Sequence, residues 1–293
     1  LHVCYHNDGI GKNSTFKYAT NKNGKWSVSV IDEDDTDAIK GEWNDITVDD
    51  NGTVHIVYTV FDNEDDNDNY EAIRYARLVN GNWIKEDVLP PAVNVRSYTR
   101  CCIASDNNGT IHIAAAVFGN NFSIEYINNA TGQWVHENAC NFSGFSTDIS
   151  MSVDGLNRPH IAYTDYNGYH LRTVTRLGLN TWDSRLISGN ADYPSLSNQT
   201  VVYPSIAVNA SGDEYILYHN TVDDDIWFYN NGTLNTLDYN AGKGGFCQPV
   251  ILCDKEGHLH YLYGILINSE WNLFYGRNTS GSFICDQIFG FQA

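Results

Sequence analysis

The feature that most constrains the fold of this chain is an internal repeat, in which an Asp/Asn-Gly turn joins two short apolar segments. The clearest copy, residues 45–58, reads DITVDDNGTVHIVY and is followed by the segments IRYA and NGNW. A second copy, residues 103–113, reads IASDNNGTIHI and is followed in the same order by IEYI and GQW. Runs rich in Val, Ile, Tyr and Thr between Asn, Asp and Gly are typical of strands and turns. Each copy therefore predicts four short strands.

The pattern recurs six times along the chain. One position of the second strand is occupied, at intervals of 45 to 57 residues, by His2, His55, His112, His160, Tyr215 and His260. An aromatic or apolar residue marks the last strand of each copy at Trp26, Trp83, Trp134, Trp182, Leu234 and Phe283. A four-stranded unit with a period of roughly 50 residues is the blade of a β-propeller.

We therefore predict an all-β fold, a six-bladed β-propeller of four-stranded antiparallel blades in one domain, residues 1–293. A single such sheet cannot bury both of its faces, whereas a ring of six sheets can. No segment shows helical amphipathicity for more than two turns, so little helix is expected. The predicted blades span approximately residues 1–32, 43–89, 100–140, 147–188, 202–240 and 246–289.

The first blade is predicted to lack part of its innermost strand. Within the chain, the residue that marks the last strand of one copy and the residue that marks the second strand of the next copy are 26 to 33 positions apart. If the two ends of the chain were joined, Phe283 and His2 would be only 12 positions apart. The C-terminal segment 289–293 could supply the strand, a partner could donate it by β-augmentation, or it could lie in residues that precede Leu1.

The segments YPSIAVNASG (203–212) and RPHIAYTD (158–165) resemble the repeats of sialidase-like, BNR-type propellers. The resemblance covers the whole chain and implies a fold, but no particular reaction. The Ser-x-Asp-x-Gly-x-Thr-Trp box of many sialidases is absent from the sequence. Sialidase activity would also require three arginines near the axis, and only Arg96 and Arg100 map to the face where first strands begin. We therefore expect no sialidase activity.

The composition excludes several classes of partner. The formal net charge is −19, which disfavours binding to nucleic-acid phosphates and to anionic membrane surfaces. No run of about 18 apolar residues is present, so no membrane insertion is expected. Apolar residues make up 42% of the chain, which is enough to build a core.

Seven cysteines and ten Asn-x-Ser/Thr sequons favour an extracellular protein, secreted or at the cell surface, with glycans and some disulfides. The adjacent Cys101 and Cys102 could form a vicinal disulfide, or one of them could pair with Cys140; connectivity cannot be read from sequence. The predicted glycosylation sites are Asn13, Asn51, Asn108, Asn121, Asn129, Asn141, Asn198, Asn209, Asn231 and Asn278.

Acidic residues concentrate in loops on the face where first strands begin, which we call the top face. One is the segment 32–37, and another is the loop 62–69. Calcium prefers six to eight oxygen ligands, and the second loop offers them at alternate positions: Asp62, Glu64, Asp66 and Asp68. Calcium is therefore the expected cofactor if there is one. The alternative is a solvated acidic loop.

The mouth of the central channel is the expected ligand site on this architecture. The residues that begin the first strands there are Trp43, Arg100, Asp148, Tyr203 and Gln248. Aromatic faces stack on the C–H surfaces of sugars, while Asp, Arg and Gln bind hydroxyl groups. The alternative is that these residues satisfy backbone groups or fill the channel.

The recurring histidines are expected to be structural, bonding a turn or backbone group in each blade. His6 and His219 break the repeat and are either acid–base groups or surface polar groups. Our prediction is a non-catalytic extracellular propeller that binds glycans or protein partners, including its own copies through strand donation. The alternative is a secreted glycoside hydrolase or polysaccharide lyase, with Asp148, His219 and Tyr203 as its candidate catalytic residues.

Overall fold

A computed structural model describes residues 1–7, 15–33, 39–61, 71–89, 95–119, 122–142, 148–165, 170–188, 201–220, 225–238, 248–267, 270–278 and 284–292. These residues form 23 β-strands and no helix, so the all-β prediction is confirmed. Among them, no helix exists that is long and apolar enough to cross a membrane. The chain divides into two compact units, residues Leu1–Asn141 and Phe142–Ala293.

The first unit contains three antiparallel sheets in chain order, β1-β2-β3, β4-β5-β6-β7 and β8-β9-β10-β11. Consecutive strands pair in each, so every sheet is a simple meander. The strands are β1 (His2–Asn7), β2 (Thr15–Thr20), β3 (Ser27–Glu33), β4 (Ile39–Val48), β5 (Val54–Phe61), β6 (Glu71–Val79), β7 (Asn82–Leu89), β8 (Val95–Ser105), β9 (Ile111–Gly119), β10 (Phe122–Asn128) and β11 (Val135–Phe142).

The second unit repeats this organisation in three four-stranded sheets, β12 to β15, β16 to β19 and β20 to β23. Six successive sheets match the six predicted blades. The strands are β12 (Ile149–Val153), β13 (Pro159–Asp165), β14 (His170–Gly178), β15 (Thr181–Ser188), β16 (Val201–Val208), β17 (Glu214–Asn220), β18 (Asp225–Asn230), β19 (Thr233–Asp238), β20 (Val250–Cys253), β21 (Leu259–Ile267), β22 (Glu270–Arg277) and β23 (Ile284–Gln292).

The core lies between neighbouring sheets of each unit. The second strand of a sheet is buried on both faces, as in β5, where Val54 to Val60 are all buried. Between the second and third sheets, Val57 and Ile73 pack with Ile113 in one apolar cluster. Burying one such side chain contributes about 2 kcal/mol. The fourth strands, such as β7, are mostly exposed, so stability comes from the packing of one sheet on the next.

The first sheet has three strands, which confirms the predicted shortfall for the described residues. Its strand β1 pairs on one side with β2, where His2 lies opposite Thr20. The suggestion that the C-terminal segment completes this blade is wrong. Residues of β23 pair with β22, with Trp271 opposite Phe291, and so form the outer edge of the sixth sheet.

The Asp/Asn-Gly signal of the repeat is a turn between the first and second strands of a blade. Asp49 Oδ1 accepts the backbone N–H groups of Asn51 at 3.0 Å and Thr53 at 2.7 Å. Gly52 adopts a φ of 78°, which favours glycine. The same carboxylate or amide acceptor recurs in the later blades at Asp106, Asp154, Asn209 and Asp254.

Candidate functional site

The recurring histidines join this turn to the third strand of their blade. His55 Nε2 lies 3.3 Å from Asp49 Oδ2, and its Nδ1 lies 2.6 Å from the Tyr75 hydroxyl. Burial lowers the pKa of His55, against the opposing effect of the Asp49 hydrogen bond. Because the arrangement recurs from blade to blade, the predicted structural role is confirmed. Three further pairs bring histidine Nδ1 to a tyrosine hydroxyl: His2–Tyr18, His112–Tyr126 and His260–Tyr275.

His160 is the exception among these histidines. Its Nδ1 lies 2.7 Å from Glu214 Oε1 in the next blade, and its Nε2 lies 3.2 Å from Asp154 Oδ2. Arg185 places a guanidinium nitrogen 2.6 Å from the same Glu214 oxygen. Thr173 stands where the other blades have tyrosine, and Thr175, directly opposite His160, contacts both groups. A contact between His160 and a buried carboxyl group of the next blade thus takes the place of the tyrosine contact.

The first strands bulge where several predicted ligand-binding residues lie. In β4, Lys40 lies opposite Val60 and Asn44 opposite Tyr58, so the intervening segment with Trp43 bulges outward. Gly41 permits this bulge, because its φ is 81° and the Phe16 ring occupies the space a Cβ would need. Register shifts also precede Arg100 in β8 and include Tyr203 in β16. Bulges re-aim side chains and occur frequently beside binding sites.

Trp43 and Arg100 are brought together by these bulges in the first unit. The guanidinium carbon of Arg100 lies 3.4 Å from the centre of the Trp43 ring, a cation–π contact. The Trp43 carbonyl accepts from Cys101 Sγ at 3.7 Å, and the Trp43 N–H donates to Thr59 Oγ1 at 3.3 Å. Both side chains are partly exposed, so the pair forms a fixed surface that solvent can reach.

In the second unit, Asp148 contacts the backbone of Tyr203, and His219 lies on the strand that pairs with β16. Asp148 is buried, and its Oδ2 accepts the backbone N–H of Tyr203 at 3.0 Å. Tyr203 has a φ of 55°, which is unusual for a bulky residue. His219 is buried and lies in β17 opposite Val202. It is therefore not a surface residue. Gln248 is exposed just before β20, and no described contact joins it to these residues.

Polar side chains on the first strands also bind the first strand of the next blade. Ser150 and Ser152 accept the N–H groups of Ile206 and Val208 at 3.2 and 3.1 Å. Ser205 accepts that of Ile251 at 3.0 Å. Sequence reasoning missed these residues, although small polar residues alternating along the first strands were a visible signal.

Asp45 has the corresponding role in the first unit. Its carboxylate accepts the N–H groups of Ile46 at 2.8 Å and Ile103 at 2.9 Å. Burial raises the pKa of Asp45 to about 6, although both hydrogen bonds act to lower it. Asp45 and Asp148 thus both satisfy backbone groups of the following blade, which was the alternative considered for Asp148.

No protein-family model matches the chain, and no curated protein matches it. Solved structures do match. A Hadza microbial sialidase aligns with a TM-score of 0.53 and 12% identity, over 85% of this chain and 57% of its own. The α-L-arabinanase of Penicillium chrysogenum, complexed with arabinobiose, aligns with a TM-score of 0.56 and 11% identity. The alignment covers 84% of this chain and 80% of the arabinanase. The polysaccharide lyase Uly1 aligns with a TM-score of 0.56 and 9% identity, over 99% of this chain and 78% of the lyase.

The fold is a sialidase-like β-propeller. The low identities show the fold alone, because unrelated reactions recur on one architecture. The chain spans little more than half of the sialidase with which it aligns.

Asp32, the first residue of the acidic segment 32–37, is buried in a cluster of cationic side chains. Asp32 is 3% exposed and accepts hydrogen bonds from the Tyr58 hydroxyl at 2.7 Å, Arg74 at 2.9 Å and Lys85 at 2.6 Å. Lys40 Nζ lies 3.9 Å away. Cations from the second blade therefore neutralise the charge of Asp32. Residues 34–38 lie outside the described part of the chain.

The disulfide prediction is wrong for the vicinal cysteines of the propeller. Cys101 and Cys102 are buried free thiols whose sulfurs donate to different carbonyls, those of Trp43 and Ala114. A bond from either to Cys140 is excluded for the same reason. Burial raises the pKa of both thiols well above the ordinary value, so they are poor nucleophiles. Free thiols are also present at Cys4, Cys253 and Cys285.

The predicted calcium ligands Asp62, Glu64, Asp66 and Asp68 lie outside the described residues, as do the sequons at Asn13, Asn121 and Asn198. Asn51, Asn108, Asn141 and Asn231 are exposed. Three sequon asparagines instead have turn-stabilising roles, since their Oδ1 atoms accept backbone N–H groups: Asn129, Asn209 and Asn278.

Proposed function

We propose that this protein is a secreted, non-catalytic propeller that binds glycans. The observation that carries the proposal is the stacked Trp43–Arg100 pair at the bulges of two neighbouring first strands. Exposed sequons at Asn51, Asn108 and Asn141 support secretion, because glycosylation occurs at accessible surface positions.

The chemistry of the pair suits a sugar. An indole ring offers an apolar face for sugar C–H groups, and a guanidinium offers up to five N–H donors in a fixed plane. Stacking on Trp43 restrains the Arg100 side chain, which reduces the entropy lost on binding. The net charge of −19 repels polyanions at long range, so neutral glycans are the expected ligands.

Other side chains of the described region support a binding role over catalysis. Both carboxylate oxygens of Asp45 and one of Asp148 accept backbone N–H groups, whereas a glycosidase uses such carboxylates as acid or nucleophile. Several arginines, of which sialidase activity would require three, are committed to ion pairs elsewhere: Arg74, Arg158, Arg172 and Arg185.

The similar solved structures support a relation to carbohydrate. They include proteins described as a sialidase, an arabinanase complexed with arabinobiose and a polysaccharide lyase. We carry over to this chain only the shared type of ligand.

A glycan array tests the proposal, with wild type compared with Trp43→Ala. We expect binding to neutral glycans and an affinity at least about 10-fold lower in the variant, because aromatic contacts dominate such sites. Trp26→Ala is the matched control, since Trp26 is 56% exposed and lies on the turn before β3. Equal binding by all three proteins, or no binding to any glycan, would refute the proposal.

A second candidate function is a glycoside hydrolase or polysaccharide lyase using Asp148, His219 and Tyr203. The positive φ of Tyr203 favours it, because strained backbone concentrates at functional sites. Incubation with neutral and acidic polysaccharides, followed by assays for reducing ends and unsaturated products, distinguishes the two. The Tyr203→Phe variant removes the hydroxyl group and keeps the backbone unchanged. If the wild type turned over a polysaccharide and this variant did not, the function would be catalysis and not binding alone.

A protein partner can also bind by strand addition, and we propose a second copy of this chain as that partner. Among described residues, β1 pairs only with β2, and an open strand edge is a template for another strand. Sedimentation at increasing concentration should show dimers or longer assemblies. A His6→Pro variant, which removes an N–H group that points away from β2, should remain monomeric. Monomers alone in wild type would exclude self-association.

A further inference from the structure

The turn of the sixth blade has a composition that the other turns lack. Residues 254–260 read Asp-Lys-Glu-Gly-His-Leu-His. Single ligand atoms of Asp254, Glu256 and His258 all lie within 4.8 Å of one another. All three side chains are partly or fully exposed, with 27% exposure at Asp254 and 37% at His258. One imidazole and two carboxylates therefore converge at an accessible surface.

The equivalent turns explain why these side chains converge. In the fourth blade, the fifth residue of the turn, Arg158, places a guanidinium nitrogen 2.7 Å from Asp154 Oδ2. In the sixth blade, the fifth residue, His258, places Nδ1 3.2 Å from Asp254 Oδ2. The turn geometry thus directs this side chain onto the outer carboxylate oxygen. The third and fifth residues of the other turns are Asn51 and Thr53, Asn108 and Thr110, Leu156 and Arg158, and Ser211 and Asp213.

We propose that Asp254, Glu256 and His258 form a surface site for Zn²⁺. Zinc accepts mixed imidazole and carboxylate ligands in tetrahedral geometry, with bonds of about 2.0–2.2 Å. Ligand atoms in that geometry are roughly 3.4 Å apart, so donors already within 4.8 Å need only small side-chain rotations. Calcium fits less well, because it prefers six to eight oxygen ligands.

His260 orients the shared carboxylate. Its Nε2 lies 3.1 Å from Asp254 Oδ2, and its Nδ1 lies 2.6 Å from the Tyr275 hydroxyl. A second hydrogen-bonded group of this kind fixes the direction of a metal ligand and increases its affinity. Zinc takes the place of the His258–Asp254 hydrogen bond, whereas the His260 contact remains. With three protein ligands, the fourth position is left to water or to a donor from another molecule.

Calorimetric titration of metal-stripped protein with ZnSO₄ tests the site. The background is Cys285→Ser, which removes an exposed thiol that could bind zinc. We expect one binding equivalent, with affinity at least about 10-fold lower in Glu256→Gln and in His258→Gln. Melting temperatures without zinc should match those of the background protein, because neither substituted side chain is buried.

A gain-of-site variant provides a second, independent measurement. Asn51→Glu combined with Thr53→His copies the sixth turn into the second blade, where Asp49 and His55 already occupy the matching positions. We expect the zinc stoichiometry to rise from one to two equivalents. Unchanged zinc binding in Glu256→Gln and His258→Gln overturns the proposal, as does calcium binding that depends on the same two residues.

Discussion

Replacing Asp32 by Asn should destabilise the first unit more than any surface charge change in the same region. The Asp32 carboxylate is 3% exposed and is held by Tyr58, Arg74 and Lys85. The neutral amide keeps the volume but removes the charge that balances the three nearby cations, Arg74, Lys85 and Lys40. It also turns one acceptor oxygen into a donor, so at least one of the three donors loses its partner.

The magnitude follows from the burial of each partner. Breaking a buried ion pair by removing one member costs about 3–5 kcal/mol. The lower end applies here, because the Arg74 and Lys85 side chains remain 23% and 35% exposed and can be hydrated. About 3 kcal/mol corresponds to a fall in melting temperature of roughly 6–12 °C for a unit of this size.

The pH dependence gives the same experiment a second readout. Burial alone would raise the pKa of Asp32, but hydrogen bonds from Lys85, Tyr58 and Arg74 together lower it below its ordinary value. A depressed folded-state pKa means that the stabilisation is complete at neutral pH and is lost as the pH falls through that pKa. The difference between wild type and Asp32→Asn should therefore shrink below about pH 4.

Urea denaturation followed by tryptophan fluorescence measures the change, with Asp87→Asn as the control. Asp87 binds the same Arg74 at 2.6 Å but is 31% exposed, so its loss should cost less than about 1 kcal/mol. If the two variants unfolded at the same urea concentration, the buried cluster would not have the role assigned to it.

Three further predictions concern groups spread over the propeller. Burial lowers the pKa of His55, so the wild type should lose stability relative to His55→Asn as the pH falls from 7 to 5. Melting temperatures measured over this pH range should therefore converge, and a growing difference between the two proteins would contradict this. Iodoacetamide should label exposed Cys285 in the folded protein and Cys102 only after unfolding; equal labelling rates would show that Cys102 is accessible. After secretion from a eukaryotic host, glycopeptide mass spectrometry should find more glycan on exposed Asn141 than on Asn278, whose Oδ1 accepts the Leu259 N–H at 2.6 Å. Higher glycan occupancy at Asn278 would refute the link between side-chain accessibility and glycosylation.

The repeat made the fold predictable because it combines local turn chemistry with strand patterning. A turn of the type at Asp49, with glycine at positive φ three residues later, requires few tertiary contacts and is legible in sequence. The three-stranded first sheet was predictable from spacing alone. The pairing of β23 was not, because the C-terminal segment suits either an inner or an outer strand and packing decides between them.

The candidate site was predictable only in part. Counting back from each turn located Trp43 and Arg100, but their stacking depends on bulges whose register sequence does not specify. The role of Asp148 as a backbone acceptor depends on the next blade, which no local pattern reveals. The partners of Asp32 were not predictable from local sequence, because Arg74 and Lys85 are 42 and 53 residues away along the chain.

The turn between first and second strands has a consequence for how such a protein diversifies. The side chain of its first residue accepts the backbone N–H groups of the third and fifth residues, and any amino acid except proline supplies such a group. Substitutions at those two positions can therefore change the surface chemistry of the turn with little loss of folding stability. Each of the five described turns of this type presents such a permissive pair of positions.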